Sequence, residues 1–496
     1  MKSVFTTLSF GLLSSEKTTE STAKKNTLNP LLAFLHYQRI KNKDGMMSKE
    51  DIAKIFKYNN KGLLLDGKDK RLSIKDSCNH LAVISRTGGG KTSTFVLPNI
   101  YKLANDNCSI VLTDLSGEIY EKTSGYLAQK GFKIYVLDPL NLQGSNRFNP
   151  LYYATSPSKI DKVANILISS NTKGSISGDS QFWYDGAKSL LSMVIKTLMR
   201  TGDHKLINLS NVRHLLNNYG TFGFDSFMND YADEKTYSEY KGFKAAPLNM
   251  QNSYLSTANT ALSPIGINDD LEVLTASHNI NFDKLREEKS VIYIKVPSQD
   301  QEQYTFLLNI FYTQLFDEMM KKVPSKKDLP VFTILDEFGN MRLPSFTKTI
   351  TTIRKYKVSI SIILQDTNQL QSIYGKEDAK TILSGGIANK IYFSGGDEDL
   401  TKSLEKIFGK KDTIELNLEG RFVKEEKEVM TLRDIRTMND DEVLFLMSNK
   451  LPLKLQVKPY YKDLIYRNFS NITPYLPSYQ DIEEILEYYQ LEEDEE

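Results

Sequence analysis

Seven short runs of β-branched and aliphatic residues set the first limit on the fold. They cover His80–Ser85, Ser109–Asp114, Lys133–Asp138, Val291–Val296, Val331–Phe338, Val358–Gln365 and Lys390–Ser394. Most are continuously apolar rather than alternating. That is the pattern of parallel strands covered on both faces, since a strand with one wet face alternates. Parallel neighbours need crossover connections, and helical stretches lie between several runs, for example after Lys91 and across Gln303–Met320. The expected class is α/β with a mostly parallel sheet.

Between Asp138 and Val291 no such run occurs. Ser158–Ser169, Phe182–Arg200, Leu209–Tyr219 and Ser253–Leu262 read as helices instead. A gap of about 150 residues exceeds ordinary connections, so a mainly helical domain inserted between strands of one sheet is expected over 151–284. With 496 residues the chain is too long for one compact core. Residues 1–75 are expected to be an N-terminal segment, with a polar linker ("SEKTTESTAKKNT") followed by a short amphipathic helix ("LNPLLAFLHYQRI"). The end, 466–496, is read as an acidic tail; its last stretch, "DIEEILEYYQLEEDEE", has nine acids and no base.

A net charge of +1 means that the chain is no polycation, so any nucleic-acid contact is a local patch or a channel. The two cysteines, Cys78 and Cys108, form no CxxC pair, which points away from a disulfide framework or a zinc site and fits a reducing cytoplasm. No signal peptide is apparent, and no run approaches the roughly 20 apolar residues that span a bilayer; the expectation is a soluble or peripheral protein.

The first run leads into chemistry. "VISRTGGGKTSTF" is a strand, a glycine turn and then Lys-Thr opening a helix. Glycines let backbone N–H groups crowd round phosphates, so Thr87, Gly88, Gly89, Gly90, Lys91, Thr92 and Ser93 are the expected nucleotide cradle. Lys91 adds charge at the β and γ positions, and Thr92 presents a hydroxyl to Mg²⁺. Ser85 stands where the GxxxxGK[ST] pattern has its first glycine. A phosphate loop calls for a second strand ending in carboxylates, and "VFTILDEFGN" supplies it. Asp336 is expected in the magnesium shell, and Glu337 is expected to orient or deprotonate the attacking water. "SISIILQDTNQL" places Gln365 at the carboxyl edge of the sheet as a γ-phosphate sensor, or as an ordinary strand-ending glutamine. Arg354, just before that strand, is read either as an arginine finger reaching a neighbouring subunit's nucleotide in a ring or as a surface arginine.

With these residues placed, the chain resembles the type IV coupling proteins, the conjugation and type IV secretion ATPases, from roughly Asn79 to Asp463. After the phosphate loop comes "LTDLSGEIYEKTSGYLAQKGFKIYVLDP", with landmarks at Asp114, Gly117, Glu118, Asp138 and Pro139. "RFNPL", "FWYDGAKSLL", "SVIYIKVP", "ILDEFGNM", "TIRKYKVSISIILQ", "YGKEDAKTILSG" and "PYYKD" follow in the family's order. "DLSGE" departs from the family by carrying Leu115 and Ser116 in place of the usual proline and lysine.

The resemblance implies a RecA-like P-loop NTPase domain over 76–150 and 285–465, with 151–284 as the family's all-α domain. It implies ATP and Mg²⁺ as cofactors, a homo-hexamer when active, and a plasmid or integrative-element source. The partners it implies are single- or double-stranded DNA, a relaxase with its relaxosome, the secretion channel ATPase and a membrane recruiter at the cytoplasmic face of the bacterial membrane. Most members carry an N-terminal transmembrane anchor, and this chain resembles the soluble subset.

Other readings compete. "KKVPSKK" (Lys321–Lys327) is either a solvated loop or a DNA contact. Trp183 sits at helical apolar spacing and reads as packing. The acidic tail is either solubilising or a docking segment for basic partners. A ring ATPase moving duplex DNA for segregation or packaging, and a substrate adaptor with little turnover, are the alternative functions.

Overall fold

Each of the seven apolar runs is a strand: β1 (Leu81–Ile84), β2 (Ser109–Asp114), β3 (Lys133–Leu137), β4 (Ser290–Lys295), β5 (Val331–Leu335), β6 (Val358–Leu364) and β7 (Asn389–Phe393). The structure, a computed structural model, describes residues 45–170, 179–297, 299, 301–416, 422–477 and 486–492. The linker and helix expected before residue 45, and most of the acid-rich end, lie outside the described residues. The chain divides into two units, Met46–Ile407 with Thr431–Glu496, and Met1–Gly45 with Phe408–Met430.

In the larger unit the sheet runs β11-β10-β7-β1-β6-β5-β2-β4-β3. The seven expected strands are mutually parallel. β10 (Glu442–Met447) and β11 (Leu453–Gln456) add two antiparallel strands beyond the seven expected, although Val443–Met447 is itself a continuous apolar run. β11 alternates buried and exposed positions, as an edge with one wet face should. In the smaller unit, β8 (Lys410–Leu416) and β9 (Phe422–Glu428) form an antiparallel hairpin, also unforeseen. Its sequence is charged on both faces and so carries no apolar period.

The crossover helices bury one face of the sheet. A short π-helical turn, Thr92–Val96, leads into α1 (Leu97–Leu103), and α2 (Glu118–Gln129) follows β2. Phe95, Ile100, Ile110, Leu112, Phe332 and Ile363 make a core from which water is excluded.

Between β3 and β4 the described residues form eight α-helices and no strand: α3 (Pro157–Ser170), α4 (Asp179–Arg200), α5 (Leu209–Asn217), α6 (Phe222–Tyr231), α7 (Glu234–Lys244), α8 (Leu248–Ala261), α9 (Ser263–Ile267) and α10 (Asp269–Ala276). Short polar caps start several of them, including Asn208, Thr221 and Asn268. Trp183 packs its ring 5.2 Å from Phe182 and 5.7 Å from Tyr254. The helical segment is tied to α11 (Gln301–Met320) through Lys159 to Glu318 at 2.8 Å and Lys162 to Asp317 at 2.6 Å.

The stretch read as a tail is structured in part. α12 (Leu464–Ser470) lies on α2, with Phe469 stacked on Tyr126 at 4.0 Å. Residues 486–492 lie along the helical segment. The apolar and aromatic residues set among the acids supply the contacts that net charge hides.

Candidate active site

Sheet order assembles the site. β6 lies between β1 and β5, with Ile84 beside Leu364 and Leu335 beside Ile362. The residues just past these three strands, at their carboxyl edge, therefore meet in one crevice. They are the phosphate loop after β1, Gln365 after β6, and Asp336 with Glu337 after β5.

The loop is built for close approach. Gly88 and Gly90 have φ of 73° and 83°, a backbone region that side chains disfavour. A Cβ on Gly89 would overlap Ser85 Oγ, so the serine that replaces the expected first glycine uses the space Gly89 leaves. Lys91 folds back and donates from Nζ to the carbonyls of Ser85 at 3.0 Å and Arg86 at 3.4 Å. Ser93 donates to the Gly90 carbonyl at 3.1 Å.

The carboxylates stand opposite. Glu337 takes a left-handed conformation, φ 51°, which turns the chain sharply away from β5. Its N–H donates to Asp336 Oδ1 at 3.1 Å. Burial and then the negative charge of Glu337 push the Asp336 carboxyl up to about 6, while Lys91 opposes that shift. A divalent ion beside Asp336 would relieve both causes.

One hydrogen-bonded chain joins the two halves. Thr87 Oγ1 donates to Gln365 Oε1 at 2.9 Å, and Gln365 Nε2 donates to Glu337 Oε2 at 2.9 Å. The sequence pointed to Gln365 and Glu337 separately; Thr87 as the third member was visible only as part of the loop. Asp114 sits at the end of β2 and accepts from the Tyr120 N–H at 2.7 Å, so it organises the start of α2. Asp138 pairs with Lys295 at 2.6 Å at the ends of β3 and β4. Arg147 is buried and donates to the carbonyls of Leu142 and Ser145, a structural role.

Arg354 and the Lys321–Lys327 stretch lie elsewhere. Arg354 is exposed in the 3₁₀ turn Ile353–Tyr356 before β6, at the end of the strand opposite Gln365. Seven strand residues separate the two ends, roughly 20 Å. Arg354 therefore does not meet its own chain's phosphate loop. Lys321–Lys327 also lies at that far edge, in the loop before β5. A residue not singled out from the sequence is Arg86, whose guanidinium stands 3.6 Å from Asp440, which also accepts from Ser394 at 2.8 Å.

The donor set fits a nucleotide phosphate with a divalent ion: two glycines with the needed backbone, a lysine bound only to loop carbonyls, the Thr92 hydroxyl, and a carboxyl that a cation would settle.

Comparison with known proteins agrees with this geometry. A family described as "Type IV secretory system Conjugative DNA transfer" matches residues 35–491. Protein VirD4 of Rhizobium radiobacter is 22% identical over 416 residues, covering 77% of this chain and 57% of VirD4. Conjugal transfer protein TraG of the same organism is 23% identical over 322 residues, covering 60% of this chain and 47% of TraG. The chain thus spans less than three fifths of the length of these relatives. Among solved structures, the bacterial conjugative coupling protein TrwBdeltaN70 in complex with sulphate has a TM-score of 0.68 at 14% identity, covering 88% of this chain and 95% of that one. TrwB in complex with ADP and Mg²⁺ has a TM-score of 0.66 at 15% identity, with 88% and 95% covered. The shared fold is the RecA-like P-loop NTPase fold.

Proposed function

The chain belongs to the type IV secretory system conjugative DNA transfer family, and from that premise we propose that it is a coupling ATPase that delivers relaxase–DNA complexes to a secretion channel. The observation that carries this reading is the Thr87–Gln365–Glu337 chain, which links the phosphate loop to the carboxylate we assign to hydrolysis.

ATP with Mg²⁺, when bound, supplies the phosphoanhydride whose cleavage drives movement. The N–H groups of Gly88 to Lys91 bind the phosphates, and Lys91 exchanges the carbonyls of Ser85 and Arg86 for phosphate oxygens. Thr92 and Asp336 would hold the cation, which would supply charge to the phosphate oxygens. Glu337 accepts the proton of the attacking water. Gln365 changes partners as the γ-phosphate appears and leaves, and so reports its presence to Glu337 and Thr87. Arg354 completes the site of a neighbouring copy in a ring, since it cannot reach its own. Relatives and structural neighbours named for conjugal transfer and bound to ADP and Mg²⁺ support this assignment.

Among the described residues no helix is long and apolar enough to cross a membrane. Recruitment to the cytoplasmic face of the membrane by a partner is part of the proposal.

The test is ATP hydrolysis by the purified chain with and without single-stranded DNA, beside Lys91→Ala and Glu337→Gln. DNA-stimulated turnover lost in both variants supports a motor. ATP and DNA binding without turnover, at protein concentrations high enough for ring assembly, overturns it in favour of an adaptor.

A further inference from the structure

The helical segment holds a peptide. Residues 487–492 run extended across α5 and α6, far in sequence from the elements they touch, and the contacts are to their main chain as much as to their side chains. Asn211, fully buried in the first turn of α5, uses both ends of its amide: Nδ2 donates to the Glu487 carbonyl at 3.0 Å, and Oδ1 accepts from the Tyr489 N–H at 2.7 Å. His214, one turn on, bonds the Tyr489 carbonyl through Nε2 at 3.1 Å. Together these three bonds imitate the edge of a β-sheet on a helical surface, which is how a protein reads an extended segment without dictating most of its side chains.

Side chains add selection. Tyr489 inserts beside Phe227, with centroids 5.0 Å apart, and edge-on to Tyr231 at 6.1 Å. Tyr488 is 40% exposed, with its ring 5.2 Å from that of His214, and donates its hydroxyl to Glu272 at 2.9 Å. Glu487 pairs with Lys205 at 3.2 Å, exposed and therefore weak. Gly223 provides the clearest sign of a built groove, because a Cβ there would overlap the carbonyl oxygen of Glu492. Gly223 lies in the first turn of α6 without positive φ, so its backbone asks for no glycine; the passing peptide does. Without the peptide the buried Asn211 amide would lose the Tyr489 N–H from its oxygen and keep only the 3.4 Å bond from Nδ2 to Asn208 Oδ1, a cost to stability that filling the groove removes.

We propose that α5 and α6 form a peptide-binding groove for an extended acidic segment carrying one inserted tyrosine, and that the chain's own Glu487–Glu492 is its resident, displaceable occupant. A tethered ligand has a high effective concentration, so the groove is closed to outside peptides until the tail is lifted. Any partner that engages this face of the helical segment must displace it. The inference is independent of the ATPase assignment, and its test does not involve turnover.

The experiment keeps the full chain. A fluorescein-labelled peptide of residues 486–496 is titrated, with anisotropy as the readout, into the wild-type chain, Tyr489→Ala, and Tyr489→Ala combined with Gly223→Ala. Tyr489→Ala frees the groove and is expected to bind the peptide at least about tenfold more tightly than wild type, the scale set by one lost aromatic or hydrogen-bonded contact. Adding Gly223→Ala blocks the groove and is expected to abolish binding, while alanine favours the helix and so keeps the fold. Amide exchange supplies a second readout: protection at 487–492 in wild type, lost in Gly223→Ala alone. Equal peptide binding by all three chains overturns the proposal, as does exchange at 487–492 that is equally fast in wild type and Gly223→Ala.

Discussion

Gln365 donates its side-chain amide to Glu337 at 2.9 Å while its oxygen accepts from Thr87, so one glutamine spans the phosphate loop and the carboxylate proposed for hydrolysis. The two residues belong to different strand ends, and only the placement of β6 beside β5 brings them together.

Gln365→Ala is expected to leave nucleotide affinity within a few-fold and to lower turnover about a hundredfold, the usual size of one positioning contact in the transition state. Fluorescent-nucleotide titration beside steady-state hydrolysis separates the two. Unchanged turnover would remove Gln365 from the reaction.

Arg354 makes a prediction about mixtures. Alone, Lys91→Ala and Arg354→Ala should both be inactive. Mixed in equal amounts they should recover roughly a quarter of wild-type turnover, because in a head-to-tail ring an Arg354→Ala site next to a Lys91→Ala neighbour has every group it needs. No recovery, with assembly shown by sedimentation, would return Arg354 to an ordinary surface role.

The crowding of Ser85 on Gly89 predicts a second-site effect. Gly89→Ala should weaken nucleotide binding at least about tenfold, since the new methyl meets Ser85 Oγ in a packed turn. Ser85→Gly on that background should restore part of the affinity by removing the oxygen. If the double variant binds no better than Gly89→Ala, the clash lies with the Arg86 carbonyl instead.

His80 sets an acid limit on stability. It is fully buried at the start of β1, accepts from the Ile360 N–H at 3.1 Å, and has φ 64°. Burial, then the nearby Arg354 charge, pulls its pKa down to about 3. A histidine held neutral in the fold but charged in the unfolded chain costs nothing above its unfolded pKa, near 6.5. Stability is lost as pH falls from there toward 3, by about 2 kcal/mol at about pH 5. His80→Asn keeps an acceptor and tolerates positive φ, so its denaturation midpoint should change less between neutral pH and about pH 5 than that of wild type. Parallel loss in the two proteins would place the acid sensitivity elsewhere.

Much of the fold could be read from local sequence. A strand buried on both faces must be continuously apolar, so β1 to β7 announced themselves, and the absence of such a run after Asp138 announced the helices. The antiparallel edge did not. β11 is the edge, and an edge strand needs only half an apolar pattern. β10, paired on both sides, is the continuous apolar run Val443–Met447, which carried the same signal as β1 to β7 but is preceded and followed by charged, turn-rich sequence. The hairpin β8–β9 carried no apolar period at all.

The sequence by itself determined the chemistry on offer: glycines and a lysine after a strand, paired carboxylates after another, and a glutamine after a third. Those are local facts, set by residue type and spacing along a few residues. Tertiary structure decided which of them meet. Strand order put Gln365 between Thr87 and Glu337 and left Arg354 at the far end of β6. It also set Tyr489 against Phe227 and Asn211 against the backbone of 487 and 489. Contacts between residues hundreds of positions apart depend on how whole elements pack, and no local pattern encodes that.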